Sequence, residues 1–173
     1  MRTKLFVILS IAMSILAMTG CGAAKPKDPQ QAYEDSISHI VAKTLMQNRD
    51  FVLTANRITL GQSSMLYVSD NLNFIMVEGE ECTIQLALNY GLFYPFTFKG
   101  TVSNYSYKES KNGEANVSFH FNGRIGSGDV SINLYKDSDL AVGYIDSTFR
   151  RGRASFYGPI RATSRTIIEI PKQ

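Results

Sequence analysis

The chain has 173 residues, 44% of them hydrophobic and 19% charged, with a formal charge of +3 and two cysteines, Cys21 and Cys82. That length suits one domain with a single core, and two cysteines exclude a disulfide framework. Arg2 and Lys4 sit in a leader, so the side chains of the remainder sum to +1 (3 minus 2), which excludes a global basic field for nucleic acid.

Arg2 and Lys4 are followed by an uncharged apolar run, Leu5 to Ala17, and then by small residues. This is the layout of a secretory signal, and the run is too short to cross a bilayer as a stable helix. Leu16-Ala17-Met18-Thr19-Gly20-Cys21 resembles a bacterial lipobox. The resemblance implies cleavage before Cys21 and a diacylglyceryl group on its thiol, leaving a mature chain of 153 residues (173 minus 20). It further implies a lipid-anchored protein of the bacterial cell envelope. Gly22 is not the aspartate that retains lipoproteins at the inner membrane, so the outer membrane is the expected destination, with the leaflet open. Residues 22–28 are small or polar and read as a tether.

Asp28 and Pro29 supply an N-cap and a first-turn proline. Ala32, Tyr33, Ile37, Ile40, Val41, Thr44 and Leu45 then recur at helical spacing, with Glu34, Asp35, Ser38, Lys43 and Gln47 opposite. The pattern predicts one amphipathic helix over Pro29 to Gln47 that packs its apolar stripe on its own sheet.

From Phe51 the period changes from about 3.6 to about 2. The alternation predicts strands near 51–59, 64–69, 72–78, 82–88, 96–108, 114–122, 128–136 and 140–149, separated by turn residues. Asn112-Gly113 has the composition of a type I′ hairpin turn. Val117, Phe119 and Phe121 alternate with Asn116, Ser118 and His120, as Val130, Ile132 and Leu134 do with Ser131, Asn133 and Tyr135. Such strands are antiparallel with one wet face, and no connection leaves room for a crossover helix. The expected fold is mainly β with a minor α part, over residues 29–173. It is an antiparallel β-sandwich or partly open barrel of about eight strands, with the helix covering an open end or a sheet face.

The lipobox, the helix leading into Asn48-Arg49-Asp50-Phe51-Val52-Leu53-Thr54-Ala55, the aromatic Leu92-Phe93-Tyr94-Pro95-Phe96 and the closing Ala154-Ser155-Phe156-Tyr157-Gly158-Pro159-Ile160 span nearly the whole mature chain. In these features the sequence resembles a family of small Bacteroidetes lipoproteins, domain of unknown function 4251. The resemblance implies the envelope localisation and a mostly β fold with an N-terminal helix. It implies no activity, ligand or catalytic residue.

No catalytic motif stands out, and no cofactor or metal is expected. His39 and His120 are the only histidines, lack neighbours at metal-ligand spacing, and read as surface residues. Cys82, in Cys82-Thr83-Ile84-Gln85-Leu86, has no flanking histidine or cation and reads as a buried structural residue. Gly123-Arg124-Ile125-Gly126-Ser127-Gly128 reads as a flexible hairpin loop, and Glu78, Glu80 and Glu81 as a solvated turn. Two features rise above this background. Tyr90, Phe93, Tyr94, Phe96 and Phe98 concentrate aromatic area into a candidate binding patch. Arg150, Arg151 and Arg153, with Arg161 and Arg165, are candidate contacts for anionic lipid phosphates.

The preferred expectation is a monomeric, non-enzymatic, lipid-anchored module that binds an envelope protein or a small apolar or glycan ligand. The alternatives are a hydrolase-like enzyme with a dispersed site such as Glu80, Glu81 and His120, and a purely structural component. A pocket of converging carboxylates and histidine would favour the enzyme, and an aromatic patch or apolar cavity would favour binding.

Overall fold

Asp28 accepts a hydrogen bond from the Gln30 amide at 3.2 Å, and Pro29 opens helix α1, Pro29–Asn48. The structure, a computed structural model, describes residues 28–61, 65–87, 95–148 and 152–165. The leader (1–20), the lipidation candidate Cys21 and tether residues 22–27 lie outside them. Arg49 closes α1 in the left-handed conformation at φ 57, with its amide bonded back to the Leu45 and Met46 carbonyls.

Strands follow as β1 Asp50–Thr54, β2 Arg57–Leu60, β3 Leu66–Tyr67, β4 Phe74–Glu78, β5 Glu81–Leu86, β6 Phe96–Glu109, β7 Ala115–Gly123, β8 Gly126–Leu134, β9 Leu140–Ser147 and β10 Gly152–Arg161. All pair antiparallel, in the order β1-β4-β5-β6-β7-β8-β9-β10. Val52 opposite Arg161 and Leu53 opposite Ile160 then join β1 to β10. The result is an eight-stranded closed barrel with β2 and β3 as two extra strands on the β10 edge. The expected mainly β fold of about eight antiparallel strands with one N-terminal helix holds, and of its two forms the chain takes the barrel, closed so that the ring has no free edge.

Three local expectations change. Residues 51–59 form two strands, because β10 pairs with β1 along one half and with β2 along the other. A Cβ on Gly158 would fall well inside contact distance of the Thr54 carbonyl, so only glycine lets the two backbones approach where β1 gives way to β2. The strand β10 itself is absent from the sequence expectation, whose last strand ends at 149, and it carries Gly152, Gly158 and Pro159, residues that interrupt a strand pattern. Third, Asn112-Gly113 does not make a two-residue type I′ turn. Of that pair only Gly113 has positive φ, +91, and the Ser110 amide donates to the Glu114 carbonyl at 2.8 Å. This is a three-residue loop with glycine at the left-handed position.

Phe51, Leu53, Ile75, Val77, Ile84, Val117, Phe119, Phe121, Ile132 and Phe156 point inward and form the core. Cys82 is buried among them at 3% exposure. Glu78, Glu80 and Glu81 are exposed at the β4–β5 turn.

Helix α1 closes one end of the barrel. The Tyr105 hydroxyl donates to the Met46 carbonyl, the Arg49 guanidinium lies 4.6 Å from the Tyr105 ring centre, and Lys43 pairs with Glu109 at 2.6 Å. Most of the stripe expected to dock faces outward, although Leu45 of that stripe packs against the core. His39, Ala42 and Met46 are buried, whereas Tyr33, Ile37, Ile40 and Val41 are 45–68% exposed. His39 is therefore not a surface residue. Its ring nitrogens lie 2.9 Å from the Ser138 carbonyl oxygen and 2.8 Å from that of Gly113, and those two turns offer polar backbone that an apolar stripe would leave unpaired. Among the described residues, no helix is long and apolar enough to cross a membrane.

Candidate functional site

Barrel strands alternate, so burying Val117, Phe119 and Phe121 on β7 and Val130, Ile132 and Leu134 on β8 sends their neighbours outward. Register then assembles these outward residues into rows across four strands. His120 is opposite Asp129, Asp129 opposite Asp146, and Asp146 opposite Arg153. The next row runs Ser118, Ser131, Tyr144, Ser155, and the third Asn116, Asn133, Val142, Tyr157.

A groove of about 470 Å³ lies on the first two rows, lined among others by Asn104, Ser118, His120, Asp129, Tyr144 and Arg153. Asn104 reaches it through a β-bulge between Ser103 and Ser106 of β6, where it takes a left-handed φ of 54. A second groove of about 370 Å³ lies on the third row, lined among others by Asn116, Asn133, Tyr135 and Tyr144. Tyr144 is common to both and is 48% exposed. Tyr135 stands 6.2 Å from Tyr157, ring centre to ring centre, and the Arg57 guanidinium sits 3.5 Å over the Tyr157 ring. These contacts brace one side of the platform. Burial, then the nearby Tyr144 and Tyr157 phenols, raise the Tyr135 pKa above its ordinary value, with Arg57 pulling it down.

His120 Nδ1 lies 2.9 Å from Asp129, and Arg153 Nε donates to Asp146 at 3.2 Å. The Asp129 and Arg153 side chains are 80% and 82% exposed, so these pairs are solvated and each contributes at most about 1 kcal/mol. Water-covered ions of this kind lack the low-dielectric setting in which acid–base chemistry gains its force. Hydrogen bonding to a ligand, by contrast, needs only their placement.

Of the residues singled out in the sequence, Arg153 and His120 meet in this groove. Glu80 and Glu81 do not join them, because Glu81 is opposite Thr101, and Thr101 opposite Asn122 on the far side of β6. Phe96 begins β6 half-buried opposite Leu86. Tyr90, Phe93, Tyr94, Arg150 and Arg151 lie outside the described residues. Arg161 pairs with Asp139 at the opposite end of β10 from Arg153, about 26 Å away along the strand. Those two arginines therefore do not share a patch. Sequence reasoning missed Tyr144, Asp129, Asp146 and Asn104. Alternation along each strand marks most of them as outward, but only register reveals the rows. Among the described residues, no three His, Cys, Asp or Glu side chains cluster as metal ligands.

A family model described as a domain of unknown function (DUF4251) matches residues 34–160, from α1 through β10. The crystal structure at 1.95 Å resolution of a DUF4251 family protein from Bacteroides eggerthii DSM 20697 is similar, with a TM-score of 0.70 and 24% identity. That match covers 78% of this chain and 94% of the other, and at such identity it speaks to fold alone. No curated protein matches the chain. With the model spanning most of the helix and nearly all of the barrel, the chain belongs to the DUF4251 family.

Proposed function

We propose that the chain is a lipid-anchored protein of the bacterial cell envelope whose barrel is a non-enzymatic module that binds an extended glycan along the outer face of β7–β10. The observation that carries the binding part is Tyr144, a half-exposed aromatic shared by grooves of about 470 and 370 Å³. A sugar ring presents an apolar C–H face and a rim of hydroxyls. Tyr144 matches the face, and Asn104, Asn116, Ser118, Ser131 and Asn133 supply donors and acceptors for the rim. Two adjoining grooves suit a chain of sugars rather than one ring.

The anchor part is supported by the lipobox-like Leu16 to Cys21 behind a charged and then apolar leader. Anchoring confines the module near the bilayer and raises its effective concentration for envelope ligands.

The test is binding to immobilised cell-wall and surface polysaccharides from bacterial envelopes. Wild type retained on at least one of them, and Tyr144→Ala weakened about tenfold, equal to about 1.4 kcal/mol, supports the reading. Retention untouched by that substitution, or no retention on any of them, overturns it.

A further inference from the structure

Four of the nine large hydrophobic side chains exposed among the described residues, Tyr33, Ile37, Ile40 and Val41, stand together on α1. A step of about 100° per residue sets them across the helix axis from His39, Ala42 and Met46, the side that seals the barrel. Helix α1 thus turns His39, Ala42 and Met46 to its own domain, with Leu45 packed beside them, and presents a second apolar stripe to the outside. An exposed stripe of this kind calls for something to cover it.

The chain before the helix indicates what that is. Cys21 precedes Asp28 by seven residues, a contour of at most about 25 Å, so an acyl group there holds α1 within one helix length of the lipid. Lys25 and Lys27 in the same stretch bring positive charge to a surface of anionic headgroups. We propose that the stripe Tyr33, Ile37, Ile40 and Val41 lies in the interface of the bilayer to which Cys21 tethers the chain, so that the barrel stands on the membrane through its helix-capped end. This inference rests on the lipid-anchor reading above.

The orientation has a consequence for the arginines. Ser138, which His39 contacts, and Asp139, which Arg161 contacts, belong to the turn beside α1. Arg153 is at the other end of β10, and a barrel standing on α1 lifts it clear of the lipid phosphates. The docked helix and Arg153 cannot both lie on one flat bilayer.

The chain contains no tryptophan, so Ile37→Trp places a single indole on the stripe, and Ile125→Trp, at an exposed site in the β7–β8 turn, serves as its comparison. Each full-length variant is expressed, processed and purified from membranes. Intact mass decides whether Cys21 is acylated, and the protein is reconstituted in phosphatidylethanolamine–phosphatidylglycerol vesicles with or without brominated acyl chains. For acylated protein the expected result is blue-shifted Ile37→Trp emission about halved by bromolipid, with Ile125→Trp unchanged. Acylated protein whose Ile37→Trp emission ignores bromolipid and stays open to aqueous iodide overturns the docking and leaves the anchor standing. Acylated protein whose emission shifts only as protein density rises, without bromolipid quenching, overturns it in favour of a second copy on the stripe. An unmodified Cys21 overturns the anchor and the inference with it.

Discussion

His39, on the helix, contacts Ser138, on a barrel turn, through a ring nitrogen 2.9 Å from the carbonyl oxygen. The other nitrogen, 2.8 Å from the Gly113 carbonyl, ties in a second turn, so one side chain clamps two hairpins under α1. A neutral imidazole has one N–H, and both contacts are donor-to-acceptor bonds only in the doubly protonated ring. His39→Ala removes the clamp and strands two carbonyls. The expected cost is about 2 kcal/mol, read as a lower urea midpoint at unchanged slope. A midpoint within error of wild type would show that water replaces the ring without loss.

Closure of the barrel depends on Gly158, whose added Cβ would collide with the backbone carbonyl of Thr54. Backbone cannot rotate away as a side chain can. Gly158→Ala should therefore lose more than about 3 kcal/mol or fail to accumulate as folded protein, measured by circular dichroism and urea unfolding. Gly79→Ala meets no atom within 4 Å and pays only for its positive φ of 62, so it should lose about 1 kcal/mol.

Burial raises the Cys82 thiol from 9.0 to about 12. At pH 8 its thiolate fraction is then about a thousandfold below that of a free thiol. Iodoacetamide should leave folded protein unlabelled at this position over hours and modify it promptly in urea. Because the folded-state value lies above the unfolded one, the stability linked to this thiol is whole below about pH 9 and is lost as pH climbs towards 12. Fast labelling of folded protein would contradict the packed position of β5.

Desolvation also lifts the Tyr105 phenol above its ordinary 10.0, against an opposing pull from the Arg49 guanidinium. The un-ionised hydroxyl donates to the Met46 carbonyl at the end of α1. The sign follows that of the thiol: stability is complete below about pH 10 and declines as pH rises past it. Tyr105→Phe should cost about 1 kcal/mol at neutral pH and flatten the decline of the urea midpoint between pH 9.5 and 11. Curves of equal steepness would place the alkaline sensitivity elsewhere.

How far the sequence carried these conclusions depends on whether a feature is local. Alternation along β7 and β8 identified Phe119, Phe121, Ile132 and Leu134 as inward, and Asp28 with Pro29 located the start of α1. Which face of α1 meets the barrel was not legible, because the helix docks through Ala42 and Met46 together with polar bonds from His39, Lys43 and the Met46 carbonyl, and not through Tyr33, Ile37, Ile40 and Val41. Strand β10 hid behind Gly158 and Pro159, and of these Gly158 is required by the close approach to Thr54. The candidate site was scattered for the same reason. His120, Asp129, Tyr144 and Arg153 lie on four strands, and only the register of a closed ring brings them side by side.

The most direct test of the binding proposal is chemical-shift mapping of isotope-labelled protein during titration with a soluble envelope glycan on which the protein is retained. A ligand in the grooves predicts shifts concentrated at Asn104, Ser118, Ser131 and Tyr144 that vanish in Tyr144→Ala, with the α1 amides still. Shifts confined to α1, or spread evenly over the barrel with Tyr144 unmoved, would contradict it.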